Sequence, residues 1–141
     1  MLYPKIMGLD VGEKRIGIAL SDPLRITAQG LESYQVQGEE KDIAYIKALC
    51  EKHGVEQIVC GLPKNMNGTI GPQAEKISAF AQKLKEATGC ELIMEDERLT
   101  TVFAQRTLIE ADVSRAKRRK VVDKLAAVAI LQGYLDRTKI Y

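Results

Sequence analysis

Three acids stand where a carboxylate is costly. Asp10 ends an apolar run in GLDVG, Glu97 belongs to the cluster Glu95-Asp96-Glu97-Arg98 after the apolar ELIM, and Asp123 interrupts a largely apolar helical stretch. Such a group has to be paired, hydrogen-bonded or bound to a cation. Strand alternation puts Ile6, Gly8 and Asp10 on one face and Met7, Leu9 and Val11 on the other. Glycines on both sides of Asp10 would let a ligand or another backbone come close, while the competing role for this acid is to stabilise the turn that follows.

In the cluster, Glu95 and Glu97 share a face and Asp96 takes the other. Glu97, nearer the rim, is the one expected to reach a site shared with Asp10, although such a run also suits solvated surface. At about 100° per residue, Asp123 shares a helix face with Ala126, Ala127, Ile130 and Tyr134. Lys124 cannot pair with it, since adjacent helical residues diverge. The alternative for Asp123 is an acid favoured by the positive end of the helix dipole.

Carboxylates from two strand ends and a helix suit a hard divalent cation, Mg²⁺ or Mn²⁺, in one or two copies. Two such ions about 3.5–4 Å apart would activate water and stabilise the leaving oxygen in phosphodiester hydrolysis. The only histidine, His53, falls at a helix end and reads as a cap or surface residue. No serine–histidine or cysteine–histidine pair has a supporting motif, and Cys60, inside a strand, reads as core packing.

The elements that must position these acids follow from periodicity. Residues 6–10 and Arg15–Ser21 are strands joined by the Gly12-Glu13-Lys14 turn, and residues 26–36 form a less regular third strand. Residues 39–53 carry Ile43, Ile46, Leu49 and Cys50 at helical spacing, and Gly54 ends that helix. Residues 57–61 are a short buried strand, and residues 64–71 form a polar loop. Pro72 opens a helix with Ala74, Ile77, Ala81 and Leu84 on one face; Gly89 stops it, and residues 91–94 are the fifth strand. Helices over about 100–111 and 119–137 complete the order βββαβαβαα. This predicts an α/β fold: a five-stranded mixed sheet, three strands antiparallel, the first strand near the centre and helices on both faces. In such sheets chemistry collects at the carboxyl ends of the central strands.

The 141 residues predict one domain spanning 1–141, large enough for a core without disulfide or metal staples. A composition 45% apolar and 28% charged argues against disorder. The longest apolar run, residues 125–131, is far short of the roughly 20 residues that span a bilayer, so no membrane association is expected. No basic-then-apolar leader precedes the first strand, and three cysteines make an odd count without metal-type spacing; a cytoplasmic protein is expected. The net charge of +2 hides an asymmetry: residues 1–100 carry 12 basic and 15 acidic groups, residues 101–141 nine and four. The excess gathers in RAKRRK, at Arg115, Lys117, Arg118, Arg119 and Lys120, a distribution that suits a polyanionic partner.

GLDVGEKRIGIALSD, GLPKNMNG, EDERLTT and VDKLAAVAIL, in that order, resemble the YqgF family over nearly the whole chain. That family is described as ribonuclease H-like and as a Holliday junction resolvase or pre-16S ribosomal RNA nuclease. The resemblance implies a ribonuclease H-like fold and carries over Asp10, Glu97 and Asp123 as catalytic and metal-binding acids. Many ribonuclease H-like enzymes have an acid at the end of the fourth strand. Here that strand runs into Gly61-Leu62-Pro63, so Glu97 would substitute. Lys14 and Arg15 at the hairpin, Lys64 and Asn65 in the loop, Arg98, and the basic run before Asp123 would hold nucleic-acid phosphates. Surface or capping roles compete at each. Thr100 or Thr101 would cap the next helix. Seven aromatics and no tryptophan make backbone and shape contacts the expected mode of recognition.

Three function classes follow. The leading one is a metal-dependent nuclease on structured nucleic acid, with 5′ maturation of pre-16S ribosomal RNA placed ahead of four-way DNA junction cleavage by the resemblance alone. The second, an actin-like ATPase or sugar kinase suggested by GLDVG and its hairpin, needs two related domains that this length does not supply. The third is a non-catalytic RNA-binding module of ribosome assembly. Apolar residues around most of the last helix, with Val121, Leu125 and Val128 opposite Asp123, leave a homodimer open.

Overall fold

The computed structural model describes residues 3–63, 67–96 and 115–138, the side chains of 115–123 excepted. Strand β1 (Lys5–Val11) turns through Gly12-Glu13-Lys14 into β2 (Arg15–Ser21). The Gly12 N–H donates to the Arg15 carbonyl at 2.9 Å and closes the hairpin. Strand β3 (Ala28–Gln35) completes the meander. It is shorter than the expected 26–36. Asp22 accepts hydrogen bonds from the backbone N–H groups of Leu24, Ile26 and Thr27, so these residues belong to a side-chain-stapled loop.

Helix α1 (Glu39–His53) ends at Gly54, whose φ of 65° lies in the left-handed region. Next come β4 (Val55–Leu62), α2 (Pro72–Thr88), which has its proline in the first turn, β5 (Glu91–Asp96) and α3 (Arg115–Arg137). Strand order is β3-β2-β1-β4-β5. The β1–β2 and β2–β3 pairs are antiparallel, while β1–β4 and β4–β5 are parallel. The first strand is therefore central, as expected. The expected helix over 100–111 lies outside the described residues.

Helices cover both faces. Met7, Leu9, Ile16, Ile18, Ile58 and Cys60 pack with Ile46 and Cys50 of α1 and Ile77, Ala81 and Leu84 of α2. On the other face Ile6, Ala19 and Val59 pack under Ala126, Ala127, Ile130 and Leu131 of α3. Gly8 sets how close α3 comes: a Cβ there would meet the Leu131 Cβ at 2.7 Å and the Ala127 carbonyl at 3.0 Å. Helix α3 begins at Arg115, not near 119. Its basic run is rich in good helix formers and has no glycine or proline, so the run belongs to the helix itself. Among the described residues no helix is long and apolar enough to cross a membrane.

Candidate active site

Asp10 lies one residue before the carboxyl end of the central strand, buried and on the α3 face with Ile6 and Gly8. Its cross-strand partner on β2 is Gly17. On the other side, one step beyond the Leu9–Cys60 pair, stands Gly61 of β4. The carboxylate thus sits between two residues without side chains, beneath a helix that small residues hold close to the sheet. Sequence reasoning picked out Asp10 and its chain neighbours Gly8 and Gly12. It missed Gly17 and Gly61, because pairing register is not a local signal.

Gly61 is paired in turn with Glu95 of β5. Glu95 is buried, with 6% of its surface exposed, and forms an ion pair with Arg137 in the last turn of α3. The register and this ion pair with α3 put Glu95 on the Asp10 face, where the sequence had singled out Glu97 instead. Asp10, Gly61 and Glu95 therefore form a row across three parallel strands. Glu97, Arg98, Thr100, Thr101, Lys64 and Asn65 lie outside the described residues.

Asp123 belongs to α3, one turn before Ala127. Lys124 and Val128 lie over Gly30, and the Gln132 side chain accepts from the Ala28 N–H and donates to the Ile26 carbonyl. The helix therefore runs antiparallel to β1, and its Asp123 position falls on the Asp10 side of Gly8. The face expected to bear Asp123 is the packed one: Ala126, Ala127 and Ile130 are buried and Tyr134 is half-buried. Arg115, Lys117, Arg118, Arg119 and Lys120 occupy the opening turns of the same helix, and their side chains, with that of Asp123, are outside the description.

At the hairpin, Lys14 is exposed and Arg15 is partly exposed on the Asp10 face, two positions beyond Gly17 on the rim side. The groups that would compete for the chemistry are elsewhere. His53 ends α1 beside Lys5, at the opposite end of β1; partial burial, then Lys5 and Lys52, hold its pKa below the usual imidazole value. All three cysteines are buried on the α1–α2 side of the sheet. Burial and its neighbour Cys90 push the Cys50 thiol up to about 12. Among the described residues no three His, Cys, Asp or Glu side chains form a metal-type cluster. Among the described residues, Asp10 presents carboxylate oxygen on the α3 face while the thiols and the imidazole lie elsewhere, and oxygen without sulfur or imidazole suits a hard divalent cation.

Residues 4–137 match the family described as "RuvX: Holliday junction resolvase". A relative from Clostridium kluyveri, named "Putative pre-16S rRNA nuclease", is 59% identical over 133 residues, covering 94% of this chain and 97% of the relative. A relative of the same name from Clostridium acetobutylicum is 58% identical over 132 residues, covering 94% and 98%. Among solved structures, T. thermophilus RuvC in complex with Holliday junction substrate aligns with a TM-score of 0.62 at 11% identity over 96% of each chain. The fowlpox virus Holliday junction resolvase aligns at 0.57 and 15% identity, over 96% of this chain and 99% of that one. At such identities the likeness bears on the fold, which is ribonuclease H-like.

Proposed function

From its membership of the RuvX (YqgF) family, we propose that the chain is a metal-dependent nuclease that hydrolyses phosphodiester bonds in structured nucleic acid, and that its substrate is the 5′ end of pre-16S ribosomal RNA in the cytoplasm. The observation that carries the reading is Asp10, a buried carboxylate at the carboxyl end of the central strand, flanked by Gly17 and, one register step on, Gly61. A buried carboxylate has to be paired, hydrogen-bonded or bound to a cation, and the glycines on either side leave room for a cation to approach it. The relatives' name supports the RNA substrate.

Asp10, Glu97 and Asp123 would hold one or two Mg²⁺ or Mn²⁺ ions. When bound, such an ion lowers the pKa of a coordinated water and offsets charge on the leaving oxygen. The chain's own residues orient the substrate. Lys14 and Arg15 at the hairpin rim, with Lys64, Asn65 and Arg98, hold phosphates on either side of the scissile one. The basic opening of α3, from Arg115 through Lys117, Arg118, Arg119 and Lys120, draws the polyanion toward the acids. The packed faces of β1 and α3 keep Asp10 out of bulk solvent.

Asp10→Asn, Glu97→Gln and Asp123→Asn should each lower Mn²⁺-dependent cleavage of a pre-16S fragment by about a hundredfold or more, since loss of an outer-sphere partner alone costs up to about that much. Full activity in all three would remove this mechanism. RNA binding that survives all three substitutions, with no cleavage by the wild type, would identify a binding module instead. The family description favours one second reading, cleavage of a four-way DNA junction, a symmetric substrate that two copies of the chain would suit. Offering the enzyme both substrates with Mn²⁺ and measuring its mass in solution separates the two.

A further inference from the structure

Glu95 and Arg137 have no part in the catalytic set proposed above, yet they occupy its face. The Glu95 carboxylate is buried and its partner is not: the Arg137 side chain is 39% exposed. Desolvating a carboxylate offsets most of what such a pair returns, so net stability is a weak reason for this arrangement. A guanidinium carries five N–H donors in a rigid plane, and one carboxylate leaves an edge of that plane unused. Glu95 stands two strands from Asp10, about 10 Å away at the usual strand spacing, with only Gly61 between them.

We infer that Arg137, oriented by the buried Glu95, contacts a backbone phosphate of the bound nucleic acid near the one held at Asp10. This rests on the nuclease reading and adds a contact to it. Glu95 takes part of the guanidinium's donor set and fixes its plane, and the outward edge offers paired donors to phosphate oxygens. The contact is to backbone, so it is blind to sequence and common to RNA and DNA.

The test uses the full-length protein carrying Asp10→Asn, so that cleavage does not intervene. Binding of a 5′ pre-16S RNA fragment and of a four-way DNA junction is measured between about 50 and 200 mM salt. Adding Arg137→Gln should weaken both about tenfold at the lower salt and reduce the slope of log affinity against log salt by about one. Arg137→Lys, which keeps the charge but loses the fork, should keep the slope and recover part of the affinity. If the glutamine variant does not fold, the lysine variant carries the test, and wild-type affinity in it overturns the inference. A structural clamp predicts that Arg137→Gln and Glu95→Gln lose equal thermal stability with the slope unchanged, and that result also overturns it. Should the Asp10→Asn protein bind neither nucleic acid, the nuclease reading falls and the inference with it. An unchanged slope in a protein that does bind removes the inference alone.

Discussion

His53 ends α1 beside two ammonium groups, and its pKa is held below the ordinary value of 6.5 by partial burial, Lys5 and Lys52. The unfolded chain therefore takes up a proton before the native one as pH falls, and native stability drops through pH 6.5 and below. Urea midpoints at pH 7.5 and 5.5 should differ more for the wild type than for His53→Gln; equal differences would remove the imidazole from the account. Asp10 belongs to the same scale. Its face was legible because strand alternation is local, and its burial agrees. Glu95 was set aside in favour of Glu97, nearer the rim, because nothing local announces an arginine in the last helix.

Helix α3 depends on a glycine in another element. With the Leu131 Cβ 2.7 Å and the Ala127 carbonyl 3.0 Å from where a side chain would begin, Gly8→Ala should push α3 off β1. Overpacking of this kind costs about 1–3 kcal/mol. Denaturant unfolding measures it, and a variant as stable as the wild type would show that the helix shifts freely. Strand β3 and α1 are tied by a pair of stacked tyrosines, Tyr34 and Tyr45, with ring centroids 4.3 Å apart. Tyr34 donates to Asp42 at 2.9 Å and Tyr45 donates to Glu32. Burial and Asp42 raise Tyr34 to about 12; the Glu32 bond and burial do the same for Tyr45. Phenols of the unfolded chain ionise near 10, so the stability these groups contribute is complete below pH 10 and lost as pH rises toward 12. Tyr34→Phe should cost about 1 kcal/mol at neutral pH and reduce the alkaline loss. A Tyr34→Phe protein with an unaltered alkaline limb would rule this out. The expected α1 and β2 bounds match the structure because capping and turn signals sit at their ends. The start of α3 was misplaced because a run of charged helix formers has no apolar periodicity to read.

Over the whole chain, the balance of −3 in the first 100 residues against +5 in the last 41 has a spatial counterpart. Buried acids lie at the carboxyl end of the sheet, and the basic run opens the helix that crosses the Asp10 face. A cation bound by the native state alone stabilises it by mass action, by about 2.7 kcal/mol at one hundred times its dissociation constant. Mn²⁺ should therefore raise the melting temperature of the wild type, reversibly on chelation, and leave Asp10→Asn nearly unmoved. An equal rise in both proteins would place the ion elsewhere.

The order of the described elements, the central first strand and the buried faces of β1 and α3 could be read from the chain, because the periods of two and 3.6 residues are set by local backbone geometry. The four motifs in order were enough to suggest the family. Contacts between distant residues settled the rest: that glycines of β2 and β4 flank Asp10, that Gly8 sets the approach of α3, and that Glu95 finds its cation at Arg137. Strand register and helix crossing depend on how whole faces fit together, and no stretch of sequence shorter than the fold contains that information.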